Sequence, residues 1–152
     1  MPDPLPAIEV GRTELIARFL VQEKWFNLRT KHISPQAFSP KKPIPPSTVF
    51  KTSVYRTQGC GDGEIWLIGE NCVTKARKDG QRVLARADIT ADAILTDAAL
   101  LIQPSPTPHA RYADIVNWPD CREKQLDKMN ILAELAHLEP LPPSVPTECS
   151  AS

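Results

Sequence analysis

The sequence predicts an α+β domain: a small, mostly antiparallel sheet packed against two longer helices. Three observations predict it. Thr48 to Arg56 is the densest run of β-branched and aromatic residues. Asp79-Gly80 stands between two strand-like runs, the short-range signature of a hairpin. Leu126, Met129, Leu132, Ala133 and Ala136 form an apolar stripe at helical spacing. The elements between them do not alternate as βαβ units, which argues against a parallel sheet.

From the N-terminus, Glu14 to Phe26 carries Leu15, Ile16, Phe19 and Leu20, the spacing of one helical face, and is expected to be helical, although Arg18 to Val21 also suits a short strand. Residues 27–47 hold Pro35, Pro40, Pro43, Pro45 and Pro46 and are expected to form an extended loop that Phe38 pins to the core. The strand Thr48 to Arg56 ends at Gly59-Cys60-Gly61-Asp62-Gly63. A short helix follows, with Asp62 as its N-cap and Gly69 as its stop. The predicted hairpin joins Cys72–Arg77 to Arg82–Ile89, with Val83, Ala85, Ala87 and Ile89 alternating against Arg82, Leu84, Arg86 and Asp88. Thr90 then caps a helical turn reaching Leu95. Ala98–Gln103 reads as a buried strand and Arg111–Asn117 as another. Pro119 suits the first turn of the last helix, and Pro140 stops it.

At 152 residues the chain has room for one domain, expected over residues 12–139. Residues 1–11 and 140–152 are rich in proline and are expected to be disordered tails. No apolar stretch approaches the roughly 20 residues of a membrane span, so no membrane partner is expected. The N-terminus has no basic region followed by an apolar run, so no secretory signal is read. Cys60, Cys72, Cys121 and Cys149 stand far apart and form no C-x-x-C pair, which suggests reduced thiols in a cytoplasmic protein and no structural metal. No cofactor motif is present either. The glycine-rich turn at 59–63 matches neither phosphate-loop spacing, and Asp62 stands where a phosphate would sit.

Formal net charge is zero, which argues against a generic nucleic-acid coat. The distribution is uneven. Between Glu23 and Asp62 there are no acidic residues but seven cations: Lys24, Arg29, Lys31, Lys41, Lys42, Lys51 and Arg56. Trp25, Phe26, Phe38, Phe50 and Tyr55 are interleaved with them. Such a mixture suits docking of an acidic protein surface, with Lys24, Trp25, Arg29, Lys31, Lys41, Lys42 and Arg56 as contacts. It also suits a single-strand nucleic-acid binder, or a solvated loop over core aromatics.

A second candidate site combines Arg86 and Asp88, which share a strand face, with His109 and Arg111 at the same spacing. Were the two strands neighbours, Asp88 would orient His109 as a general base while Arg86 and Arg111 held a phosphate or carboxylate. The plain alternative is an Arg–Asp surface pair with His109 in a proline loop. Cys60 lacks a histidine in any known local signature.

Ser53-Val54-Tyr55-Arg56, Glu64-Ile65-Trp66, Arg86-Ala87-Asp88-Ile89, Pro108-His109-Ala110, Ile115 and Trp118-Pro119 together resemble a group of small bacterial proteins over about Arg18 to Leu138. The resemblance implies a bacterial, cytoplasmic origin and carries no activity. The expectation is a non-enzymatic adaptor or accessory protein that binds an acidic partner. A small enzyme acting on a phosphorylated substrate and a nucleic-acid binder are the alternatives.

Overall fold

A computed structural model describes residues 10–105 and 109–142. Of the tails expected at 1–11 and 140–152, residues 1–9 and 143–152, with Cys149, lie outside the described residues, as do residues 106–108, whereas Pro140 belongs to a strand. The fold is α+β. Strands β1 (Leu15–Leu20), β4 (Thr52–Arg56), β5 (Ala85–Thr90), β6 (Leu101–Pro104), β7 (Tyr112–Val116) and β8 (His137–Pro140) form one antiparallel sheet in the order β6-β7-β4-β1-β5-β8. A two-residue ladder joins β2 (Phe26–Asn27) to β3 (His32–Ile33) beside it. The helices are α1 (Asp62–Gly69) and α2 (Arg122–Leu135).

The first segment is a strand, not the expected helix. Ile16 and Leu20 pack into the core on one face of the sheet, Ala17 and Phe19 on the other. A central strand covered on both faces reads as a continuous apolar run, and such a run also satisfies helical spacing. β1 lies at the middle of the sheet, paired with β5 through six residues and with β4 through only two, Ile16 opposite Arg56 and Ala17 opposite Tyr55.

The predicted hairpin is also replaced. α1 runs on through a π-helical turn at Glu70–Thr74, so Cys72 is helical, and β5 pairs instead with β1 and β8. The Asp79-Gly80 turn does form, with Gly80 at φ +81° and the Asp79 carboxylate accepting from the Gln81 N–H at 3.0 Å. It joins a helix end to a strand. Gly61, not Asp62, is the N-cap of α1, and Asp62 lies in its first turn.

Two boundaries shift near the C-terminus. Cys121 caps α2, and Pro119 precedes the helix rather than sitting in its first turn. The helix ends at Leu135, because residues 137–140 leave it to pair along β5, from Asp88 opposite His137 to Ala85 opposite Pro140. Proline is tolerated there because β8 is an edge strand. β6 is the other edge, and Leu101 is 53% exposed rather than buried. Within residues 27–47 the loop is interrupted by β3 and by a 3-10 turn at Pro35–Phe38, whose Phe38 is fully buried as expected.

Two apolar layers cover the sheet. On one face Met129 and Leu132 of α2, with Ala37 and Phe38, pack on Ile16, Leu20, Val54, Ala87, Ile115 and Leu138. On the other, Ile65 and Ile68 of α1 pack on Ala17, Phe19 and Tyr55. The register puts Ser53, Tyr55, Arg86, Asp88, Tyr112 and Asp114 on this second face. α1 covers only part of it and leaves polar side chains along an open cleft. Among the described residues no helix is long and apolar enough to cross a membrane.

Candidate functional site

The cleft has a volume of about 810 Å³ and is bounded by β1, β4 and β7, the π-helical turn after α1 and the loop leading from Gln36 to Lys41. Its origin is the short β1–β4 pairing. Beyond Ala17 the two strands part, and Arg18 occupies the gap. The Arg18 guanidinium donates through Nε to the Ala37 carbonyl at 2.9 Å and through Nη1 to the Ser53 carbonyl at 3.0 Å. It also lies 5.6 Å from the centre of the Trp25 ring. The cation thus gives the Ser53 carbonyl the donor that a longer pairing with β1 would otherwise provide, and ties the turn carrying Ala37 to the sheet.

No carboxylate pairs with Arg18 among the described residues. Burial, reinforced by the like charge of Arg77, lowers its pKa from 12.5 to about 10, although Tyr112 and Tyr55 work the other way. The group therefore stays charged at neutral pH, in surroundings that penalise the charge.

Lys41 and Lys51 line the same cleft, directly opposite each other in an isolated antiparallel bridge whose Lys41 N–H donates to the Lys51 carbonyl at 2.8 Å. Like charges in that position repel. Arg77 is a further lining cation, held by Asp79 at 2.8 Å and by Gln81. Among the described residues Asp114 is the one carboxylate lining the cleft, against these four cations. Tyr112 donates its hydroxyl proton to Asp114 at 2.8 Å, so the 2.8 Å contact from Ser53 to Tyr112 has Ser53 as donor. Burial raises the Tyr55 hydroxyl, which also hydrogen-bonds Cys72, and burial likewise raises the Cys72 thiol. Both remain neutral near pH 7, and the cleft keeps a positive balance.

The acid–base cluster expected around His109 is not assembled. β5 carries Arg86 and Asp88, whereas His109 and Arg111 lie just before β7, and β4 and β1 separate these two strands. Three strand spacings amount to about 14 Å. Arg86 instead binds Asp88 at 3.0 Å and Asp62 at 2.7 Å, with its guanidinium 4.7 Å from the centre of the Trp66 ring. It ties the start of α1 to the sheet, although its buried Nη1 has no partner. Burial raises the Asp88 carboxyl despite the Arg86 contact. Nδ1 of His109 accepts from the Arg111 N–H at 3.0 Å, and the ring lies edge-on to Tyr55 at 6.3 Å. Burial, followed by the Arg111 charge, lowers the His109 pKa. Arg111 itself is buried and donates to the Arg56 and Gln58 carbonyls, so it is not an exposed anion contact.

The basic block divides. Trp25 and Lys41 reach the cleft, while Lys24, Arg29, Lys31 and Lys42 are exposed and do not line it. Arg56 does not belong with them: it is 2% exposed and holds Glu14 through two bonds, at 2.9 and 2.7 Å. Arg18, Ser53, Cys72, Arg77, Tyr112 and Asp114 were not singled out in the sequence. Arg18 had a signal, a lone cation inside Leu15–Leu20, visible only once that segment is read as a strand. Among the described residues no cluster of His, Cys, Asp or Glu could hold a metal ion, and Cys60, Cys72 and Cys121 form no disulfide. Comparison with known proteins gives no match: no family model, curated protein or solved structure aligns significantly with the chain.

Proposed function

We propose that this protein is a binding module without catalytic activity, and that it docks an acidic segment of a partner protein along the cleft formed by Arg18, Trp25, Lys41, Lys51 and Arg77. The observation that carries this reading is the unbalanced charge of the cleft, whose inner guanidinium has no carboxylate partner among the described residues. An inward-facing cation without a counter-ion is destabilising on its own and becomes favourable when an anion arrives. Lys24, Arg29, Lys31 and Lys42, exposed elsewhere in the basic block, add long-range attraction, which acts mainly on the association rate. Trp25, partly exposed, supplies a short-range anchor. Of the five aromatics interleaved with the cations, Phe38 and Tyr55 are buried and Phe26 and Phe50 do not line the cleft, which leaves Trp25 as the partly exposed ring of that set inside it; one such face favours a protein ligand over a stacked single strand.

The test is binding of a short polyglutamate peptide and of a single-stranded oligonucleotide of equal charge, followed by fluorescence anisotropy at several salt concentrations. The peptide is expected to bind at low salt and to weaken as salt rises. Lys41→Glu with Lys51→Glu should weaken it by about tenfold or more while leaving the thermal melt within a degree or two, since both side chains are exposed. Failure of the peptide to bind, or equal loss with a Lys124→Glu control far from the cleft in sequence, would overturn the reading. A preference for the oligonucleotide would replace it with nucleic-acid binding.

A further inference from the structure

We infer that the inner end of this cleft, at Arg18, takes a phosphate monoester presented by the acidic partner. The inference rests on the docking reading for the carrier, and it names the group the carrier presents. Two independent features point to a doubly charged anion rather than to a single carboxylate. Arg18 uses Nε and Nη1 on the Ala37 and Ser53 carbonyls and has no other hydrogen bond among the described residues, which leaves the donors of Nη2 for a ligand. Lys41 and Lys51 are held opposite each other by the backbone bridge, a like-charge pair that an anion between them would relieve. Neither lysine forms an ion pair among the described residues.

The charge and the donors match one group. A phosphate monoester carries about −1.5 to −2 charge near pH 7 and three acceptor oxygens. One oxygen can take the free Arg18 nitrogen, and the others can take the two ammonium groups. A carboxylate brings one charge and two oxygens, and leaves most of the cationic excess in place. Arg18 is also fixed before the ligand arrives, by two backbone carbonyls and the Trp25 ring. A rigid guanidinium loses little conformational freedom on binding, so its donors count more than those of a free surface arginine. Asp114, the acidic residue in the cleft, has one oxygen engaged by the Tyr112 hydroxyl. It would disfavour the anion at its own end and direct it toward Arg18 and the lysines.

The experiment compares three probes by isothermal titration with the full chain: inorganic phosphate, a glutamate-rich peptide with one central phosphoserine, and the same peptide with aspartate in that position. The phosphopeptide should bind at least about tenfold tighter than its aspartate counterpart, the effect of one or two added charge-assisted hydrogen bonds. Arg18→Lys, which keeps the charge and loses the planar fork, should remove most of that advantage, as should Lys41→Gln with Lys51→Gln, an exposed pair that guards against misfolding of the first variant. Equal binding of the two peptides would overturn the phosphate inference and leave acidic docking standing. Binding of neither peptide would overturn both. Inorganic phosphate binding as tightly as the phosphopeptide would overturn the partner-borne source.

Discussion

Glu14 and Arg56 form a two-pronged ion pair with Arg56 sealed in the sheet and Glu14 at its margin. Burial alone would push the Glu14 carboxyl upward, yet the bonds from Arg56 and from the Gly11 N–H together bring it below its ordinary 4.5. A carboxylate depressed in the folded state adds stability that is present above the unfolded value and lost as pH falls through the folded one. Glu14→Gln is therefore expected to cost about 3 kcal/mol at pH 7, because it takes the carboxylate charge away from a buried guanidinium. The gap from the unaltered protein should shrink steadily below pH 4.5, as denaturant unfolding at a series of pH values would show. A constant gap would mean that the pair matters through packing. The same residues show what sequence reading can and cannot do at this scale. Arg56 was counted as a surface contact because its charge was visible and its partner, 42 positions away, was not. Arg18 escaped notice for the opposite reason, since its significance depends on where two strands part.

At the scale of elements, Gly69 is where α1 meets the sheet. A Cβ there would stand 2.8 Å from Cε1 and 3.0 Å from Cδ1 of Phe19, a ring only 4% exposed and backed by Tyr55 at 5.5 Å between ring centres. Alanine gains up to about 1 kcal/mol of helix propensity over glycine, but overpacking a tight contact costs about 1–3 kcal/mol. Gly69→Ala is thus expected to lower stability by about 1–2 kcal/mol, read as a shift in the denaturation midpoint with an unchanged slope. A stabilised variant would show that the helix can lift off Phe19. The elements that were legible from sequence are those with one buried face or a clear stop: β7, β5 with its alternating alanines, and the middle of α2. β1 was misread because both its faces are covered, so alternation, the usual mark of a strand, is absent. The Asp-Gly turn was real, and its strand partner was not, because turn chemistry fixes a reversal of the chain without fixing what precedes it.

Over the whole molecule, the segregation of charge is the feature that sequence and structure share. Seven cations without an acid between Glu23 and Asp62 were plain in the sequence. The fold brings Lys41 and Lys51 of that block to a cleft and adds Arg18 and Arg77 from outside it. No local pattern reports this convergence, which arises from the order of strands in the sheet. The same strand order parts His109 from Asp88, and with them the acid–base arrangement that spacing alone had allowed.

The most direct test of the anion-binding cleft watches the arginine side chains themselves. Nitrogen-15 spectra of the guanidinium Nε–Hε groups, with Arg18 assigned through Arg18→Lys, would be followed as the phosphoserine peptide is added. The account predicts that the Arg18 and Arg77 resonances move together along one saturating curve, while Arg86, already held by Asp62 and Asp88, stays in place. Shifts at Arg86 or at exposed arginines, with Arg18 unmoved, would contradict it.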